Sequence, residues 1–213
     1  MTIRCMVVML GLCVAALAQR CGPVSGTPGA FDYYVLALSW APGFCDTARH
    51  PTARECSPER HLGFVVHGLW PQVENGRSPE GCTPARPVAH NLVDRMLAVM
   101  PDSGLIQHEW ACHGTCSGMA AQDYFSLVDR AFQSVRIPDD FRAPRQQMRV
   151  GVDDVERRFA DANRASPDAF RAVCHEGELV EVRVCMTKDL RIRACSASVR
   201  DCPARRLVIA PVP

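Results

Sequence analysis

Several stretches of the chain are strongly apolar, and alternate residues in each would lie on one face of a β-strand. In "DYYVLALSW" (Asp32–Trp40), one face of the strand would carry large apolar side chains. These are Tyr34, Leu36, Leu38 and Trp40. A second strand, "LGFVVHGLW" (Leu62–Trp70), runs into a glycine turn, and later strands are expected over Glu178–Met186 and Arg205–Pro211. The pattern therefore predicts four strands.

Helical spacing of apolar residues occurs between these strands. It is found over Val88–Met100, which lies between Pro87 and Pro101, and again over Ala121–Val135 and Val152–Asn163. Strands and helices are mixed without the regular strand–helix–strand repeat of parallel sheets. We therefore predict an α+β fold, in which several helices pack on an antiparallel β-sheet core.

The N-terminal segment has the pattern of a secretory signal peptide. Arg4 supplies a positive charge, Cys5–Leu17 is apolar, and the small-x-small sequence Ala-Leu-Ala follows. We predict cleavage after Ala18, which leaves a single domain over residues 19–213 that is secreted or periplasmic. The apolar run is short for a membrane span, so a retained anchor is the less favoured alternative. No comparable apolar stretch follows, and membrane association is not expected.

The cysteine count and the charge balance refine this prediction. The chain has twelve cysteines, and Cys5 and Cys13 would leave with the signal peptide. The even number that remains in an exported chain predicts up to five disulfides, so the domain is expected to be disulfide-stabilised. Loss of Arg4 leaves cationic and acidic residues equal in number, so a polyanionic ligand would have to be held by a local arrangement of charges.

The segment "HEWACHGTC" (His108–Cys116) begins like the zinc-protease signature H-E-x-x-H, but its second histidine comes one residue late. On an ideal helix, Glu109 and His113 share a face, whereas His108 lies about 140° from His113. The two histidines would then be badly placed to bind one ion. His108 and Cys112 are four residues apart, which keeps open a zinc hydrolase that uses His108, Cys112 and Glu109. A disulfide is the expected state of Cys112 in an oxidising compartment.

The segment "FVVHGLWPQ" places His67 at the predicted end of a buried strand, where a rigid scaffold can present a reactive side chain. The alternative is a histidine held only by backbone hydrogen bonds. Trp70 is open to two interpretations as well, either as a core residue or as an aromatic surface on which a nucleobase stacks.

These two histidine segments, "HGLWP" (His67–Pro71) and "HEWACHGTC", resemble the active-site segments of the ribonuclease T2 family. The strand "DYYVLALSWAPGFC" and the spaced C-terminal cysteines are also similar to that family, and the resemblance extends from about Phe31 to the end of the chain. It implies metal-independent cleavage of single-stranded RNA through a 2′,3′-cyclic phosphate that can open to a 3′-phosphate. No cofactor is implied, and a monomer is expected.

The resemblance also implies roles for individual residues. His67 and His113 match the acid–base pair, with His113 as the base and His67 as the acid, and histidine pKa values suit both roles at mild pH. Glu109 would tune a histidine or stabilise the phosphorane, and His108 would bind phosphate. The alternatives are a helix salt bridge for Glu109 and a plain surface position for His108. Trp70 would contribute to substrate binding.

Two positions depart from the family pattern. Cys112 occupies the position of a lysine, and a cation beside a phosphorane is worth several kcal/mol in a dry site. Because this lysine is missing, one alternative is a ribonuclease-like RNA-binding protein with little turnover. Both histidines and Glu109 are nevertheless retained. Gln72 stands where some relatives have Asp in the base-binding region. It is therefore a candidate substrate-binding residue, and the nucleobase that the protein prefers stays undetermined.

The expected disulfides come from three sources. The resemblance implies the pairs Cys82–Cys116, Cys174–Cys202 and Cys185–Cys195. Cys45 and Cys56 are close in sequence and are expected to bridge. The remaining pair, Cys21–Cys112, would tether an N-terminal arm to the active-site helix in place of the lysine charge.

Overall fold

The computed structural model describes Cys21, residues 24–48 and residues 54–213. The predicted signal peptide over residues 1–18 lies outside the described residues. The strands in this part of the chain are β1 (Tyr33–Trp40), β2 (Phe64–Gln72), β3 (Met148–Gly151), β4 (Phe170–His175), β5 (Glu178–Met186) and β6 (Arg206–Ile209). The helices are α1 (Ala41–Thr47), α2 (His90–Met96), α3 (Ser103–Cys112), α4 (Ala121–Ser134) and α5 (Val152–Asn163).

The strands form one sheet in the order β2-β1-β5-β6-β3, and β4 pairs with β5. The pairing is antiparallel except for a single parallel bridge between β5 and β6. This α+β architecture confirms the predicted fold class. The four apolar residues predicted to share a face of β1 all lie in the main core, whereas Tyr33 and Val35 on the opposite face belong to a second, smaller cluster.

β2 contains a β-bulge at His67. Val66 pairs with Leu38 and Gly68 pairs with Ala37, so His67 has no partner residue on β1. The strand continues through the glycine to Gln72, and the prediction that His67 ends a strand is therefore wrong. A bulge adds one residue to one strand and redirects its side chain, and such features are common beside active sites.

The amphipathic helices α4 and α5 confirm the predicted helices within one residue at each end. α2 is shorter than predicted and ends at Met96, because the Val99 carbonyl accepts a hydrogen bond from Val66 N–H on β2 at 2.9 Å. This contact to the sheet turns the chain out of the helix. α1, β3 and β4 were not predicted. None of the described helices combines the length and the apolarity that a membrane span requires.

The described residues form five disulfides, and they are the five pairs named above. Cys21–Cys112 spans 91 positions in the sequence, and the others span between 10 and 34. Two of them, Cys21–Cys112 and Cys82–Cys116, tie neighbouring segments to the end of α3. The N-terminal arm also pairs with the segment that precedes Cys82, because Ser25 and Glu80 exchange two backbone hydrogen bonds.

A buried acid on α5 makes the stability of the fold depend on pH. Glu156 is 8% exposed and accepts a hydrogen bond from Ala172 N–H at 3.1 Å. Burial raises the pKa of Glu156 to about 7, and nearby Asp201 contributes to the increase. The folded state therefore favours the protonated acid. Its contribution to stability is present at acidic pH and is lost as the pH rises from 4.5 to about 7.

We therefore expect Glu156→Gln, which keeps the acceptor and removes the charge, to stabilise the protein at pH 8. The free energy of unfolding should rise by about 1–3 kcal/mol, with little difference from the wild type at pH 4.5. Denaturant unfolding at both pH values measures this effect. Asp161→Asn, at an exposed position of the same helix, is the matched control. An equal effect of Glu156→Gln at the two pH values would contradict the prediction.

Candidate active site

The candidate site forms on the face of the sheet where β1 contributes two small residues. β1 lies between β2 and β5, so side chains on those strands are two strand spacings, about 10 Å, apart. Ala37 pairs with both Gly68 and Arg183, and Ser39 pairs with both Val65 and Glu181. The small side chains of β1 leave room for longer side chains from β2 and β5 to meet above them.

His67 on β2 contacts the side chain of Glu181 on β5 across β1. Its Nδ1 lies 2.8 Å from Glu181 Oε2, its Nε2 lies 3.6 Å from Glu109 Oε1, and 36% of its side chain is exposed. Burial alone would lower the pKa of His67. The hydrogen bond with Glu181 and the charges of the two carboxylates outweigh it, so the pKa is raised above its ordinary value. His67 is therefore suited to hold a proton at mildly acidic pH.

Glu109 projects from α3 and is only 1% exposed. Trp70 Nε1 donates a hydrogen bond to its Oε2 at 2.8 Å, while Oε1 has no hydrogen-bond partner among the described residues. Burial raises the pKa of Glu109 to about 7, although the charge of His67 and the hydrogen bond from Trp70 favour the ionised form. A Cβ atom at Gly68 would collide with Glu109 Oε2 and with the indole. The glycine of "HGLW" therefore makes room for the Trp70–Glu109 contact.

His113 lies immediately after α3, and its ring centroid is 5.4 Å from that of Trp70. Its Nδ1 is buried and has no hydrogen-bond partner among the described residues. Burial, together with the nearby charges of His108 and His67, lowers the pKa of His113 to about 3. Trp70 thus lies close to two histidines whose pKa values are displaced in opposite directions, since the His67 ring centroid is 5.1 Å away.

The predicted separation of His108 from His113 is wrong. One ligand atom from each histidine and one carboxylate oxygen of Glu109 lie within 4.8 Å of one another, so these three residues could hold a metal ion. The ideal-helix argument fails because α3 ends at Cys112. At His113 the backbone has φ −118°, away from helical values, and its ring centroid lies 6.4 Å from that of His108.

Cys112 does not offer a thiolate to this cluster. Its sulfur is bonded to Cys21 and lies 3.4 Å from His108 Nδ1. The alternative zinc site that uses Cys112 is therefore contradicted by the structure. The disulfide occupies the position where the family pattern has a lysine, and the N-terminal arm is held beside His108.

Gln72 does not join the histidine cluster. Its Oε1 accepts a hydrogen bond from Ser78 Oγ at 2.7 Å, and its Nε2 donates to the Pro71 carbonyl. Both ends of the amide are thus engaged at the end of β2. Its assignment to substrate binding stays a prediction.

Sequence reasoning missed two residues of the site, Glu181 and Arg183 on β5. Arg183 Nε donates a hydrogen bond to Glu181 Oε1 at 2.7 Å, and its guanidinium lies 5.3 Å from the Trp70 ring. A signal was present in the sequence, because "LVEVRV" places an acid and a base within an otherwise apolar strand. Buried charges of this kind are rare unless they are paired.

The sequence of this chain is similar to those of known ribonucleases. The Ribonuclease T2 family model matches residues 31–195. A ribonuclease of Aeromonas hydrophila is 42% identical over 123 residues, which are 57% of this chain and 54% of that protein. A probable ribonuclease of Haemophilus influenzae is 40% identical over 123 residues, with 51% and 44% covered. The chain thus spans about half the length of these two relatives.

A solved structure of trichomaglin, described as an S-like ribonuclease, has a similar fold. Its TM-score is 0.68 at 22% identity, and the match covers 86% of this chain and 99% of that chain.

Proposed function

The chain belongs to the ribonuclease T2 family, and from this premise we propose that it is an endoribonuclease that cleaves single-stranded RNA by metal-independent transesterification. The observation that carries the proposal is the pair of histidines whose rings both lie close to Trp70. The pKa of His113 is lowered to about 3 and that of His67 is raised. At mildly acidic pH, one imidazole is then neutral and the other is protonated, which is the state that acid–base catalysis requires.

In the proposed mechanism, neutral His113 takes the proton of the ribose 2′-hydroxyl. The 2′-oxygen attacks phosphorus, the bond from phosphorus to the 5′-oxygen breaks, and protonated His67 gives its proton to that oxygen. The products are a 2′,3′-cyclic phosphate and a 5′-hydroxyl. In a second step the roles reverse. His67 takes a proton from water, the water oxygen attacks phosphorus, the bond from phosphorus to the 2′-oxygen breaks, and His113 gives its proton to that oxygen, which leaves a 3′-phosphate. The opposite pKa displacements support His113 as the base and His67 as the acid.

Glu109 and His108 complete the proposed site. Burial raises the pKa of Glu109 to about 7, so at mildly acidic pH its carboxyl can hold a proton and donate a hydrogen bond to a phosphoryl oxygen as charge develops there. In that state Glu181 is the charged partner that keeps His67 protonated. The ring of His108 lies 6.4 Å from that of His113, which supports a role for His108 in binding the phosphate. Trp70 holds Glu109 through its indole N–H, and its partly exposed ring is available for contact with a nucleobase.

Export is part of the proposal. Five disulfides in the described residues are consistent with an oxidising compartment. We therefore propose that the protein is secreted or periplasmic, that residues 1–18 are removed as a signal peptide, and that the domain acts as a monomer.

A second candidate function is RNA binding with little turnover. The observation that favours it is the Cys21–Cys112 disulfide at the position of the family lysine, because no cation is supplied from that position of α3. Turnover measurements on RNA distinguish the two functions directly.

The proposed function predicts that purified protein cleaves single-stranded RNA in the presence of EDTA and leaves 2′,3′-cyclic phosphate ends. A 2′-deoxy substrate should be inert because it lacks the nucleophile. Activity should rise as the pH increases through about 3, where His113 becomes neutral, and fall at higher pH as His67, whose pKa is raised by Glu181, loses its proton. Product ends are identified by mass spectrometry. Cleavage of DNA, or EDTA inhibition that zinc reverses, would overturn the mechanism, and RNA binding without turnover would favour the second candidate.

A further inference from the structure

We propose that Glu181 is a positioning residue for the reaction: it holds the His67 imidazole through Nδ1, so that Nε2 presents its proton to the departing 5′-oxygen. Arg183 in turn holds the Glu181 carboxylate. This inference rests on the proposed function and adds a residue pair that lies outside both histidine segments.

The contacts of Glu181 leave its carboxylate little freedom. Oε2 lies 2.8 Å from His67 Nδ1, and Oε1 accepts a hydrogen bond from Arg183 Nε at 2.7 Å. Glu181 is 5% exposed. Because Nδ1 is occupied, Nε2 is the nitrogen that remains to exchange a proton with substrate, and it is the nitrogen that lies toward Glu109 at 3.6 Å. A hydrogen bond at one ring nitrogen of histidine sets the tautomer and the direction of the other.

Two carboxylates therefore flank the two nitrogens of His67 in different chemical states. Burial would raise the pKa of Glu181, but its hydrogen bond and ion pair with His67 and the charge of Arg183 lower it below its ordinary value. Glu109, which makes no hydrogen bond with His67, has a raised pKa. Glu181 is thus the permanent counter-ion on one side, and Glu109 is the group that can hold a proton on the reacting side. Such a split between neighbouring acids is typical of divided catalytic roles.

The approach of Glu181 to His67 depends on the architecture. The two residues lie 114 positions apart in the sequence and on strands separated by β1. The bulge directs His67 out of the ladder, and Ser39 on β1 is small enough to let the Glu181 side chain reach over it. A salt bridge that only joined strands would not require the bulge.

The decisive experiment compares Glu181→Gln with the wild type on two substrates. On RNA, kcat should fall at least ~10-fold with KM changed less than about twofold, and the alkaline limb of the pH profile should move to lower pH. On a nucleoside 3′-(p-nitrophenyl phosphate), whose leaving group needs no protonation, the loss should be less than about twofold. Glu181→Asp should partly restore the pH profile on RNA, and Glu178→Gln on the same strand is the matched control.

Equal losses on both substrates with an unmoved pH profile would show a structural role only and would overturn the inference. A separate measurement, the ¹⁵N NMR titration of His67 in wild type and Glu181→Gln, tests the contact without turnover. An unchanged His67 titration would overturn the inference even if the enzyme cleaves RNA. Absence of RNA cleavage by the wild type would instead overturn the proposed function, while a shifted titration would still support the contact.

Discussion

Replacing His113 with alanine is expected to lower kcat/KM for single-stranded RNA by at least ~10²-fold, and His67→Ala should do the same. Each substitution removes one of the two proton transfers of the reaction. The variants should nevertheless differ on a substrate with a nitrophenolate leaving group. His113→Ala should remain slow there, because the 2′-hydroxyl still needs a base. His67→Ala should recover most of the lost rate, since the acid is no longer needed.

Steady-state kinetics on the two substrates measure this difference, and circular dichroism reports whether each variant is folded. His90→Ala, at an exposed position on α2, is the control for loss of an imidazole away from the site and should retain full activity. If a folded His113→Ala variant kept near-native turnover on RNA, the acid–base pair would be wrongly assigned. A reversed pattern on the activated substrate would exchange the acid and the base.

Removal of the Cys21–Cys112 disulfide should destabilise the protein more than removal of any other. The bridge closes a loop of 91 positions, and restriction of the unfolded chain by a loop of that length is worth roughly 4–5 kcal/mol in the entropic model. Cys45–Cys56 closes a loop of 11 positions, for which the same model gives about 3 kcal/mol. Denaturant unfolding of the two double-alanine variants should therefore rank them in this order.

The same disulfide makes a prediction about thiol chemistry. Peptide mapping without reduction should recover a linked peptide that contains Cys21 and Cys112, and no free thiol should be detected at Cys112. Stoichiometric labelling of Cys112 by a thiol reagent in the native protein would contradict the bridge. It would also restore a thiolate beside His108 and reopen the zinc hypothesis.

The fold was predictable wherever a period in the sequence corresponds to one buried face. The helical spacing in α4 and α5 is of this kind, whereas β1 was recognisable as an apolar run because both of its faces are buried. The boundaries set by tertiary contacts were not predictable, and α2 is an example because a hydrogen bond from β2 ends it early. The bulge has a signal in the sequence, but the histidine followed by glycine was interpreted as the end of a strand. Phe64, Val66 and Leu69 all pack in or against the main core, and the step from two residues to three between them marks the extra residue.

The site was predictable where two local segments carry its chemistry, and it was missed where distant parts of the chain meet. His67, Glu109 and His113 all stand out in the sequence and lie together in the structure. Glu181 and Arg183 reach them only because β5 follows β1 in the sheet. The closeness of His108 to His113 was also missed, because an ideal helical wheel does not describe a residue that lies just past a helix end.

The bulge adds one residue, His67, to β2 without changing how the residues on either side of it pair with β1. Because His67 has no partner on β1, a chain from which this residue is deleted would still align Val66 with Leu38 and Gly68 with Ala37. The inward side chains of β2 would then alternate without interruption. Such a deletion would yield a strand that still pairs but lacks the proposed proton donor, whereas deletion of Val66 or Gly68 would keep the ladder and move His67 into a paired position on β2. The sheet thus accommodates His67 as an extra residue, and in the proposed reaction that residue supplies the proton.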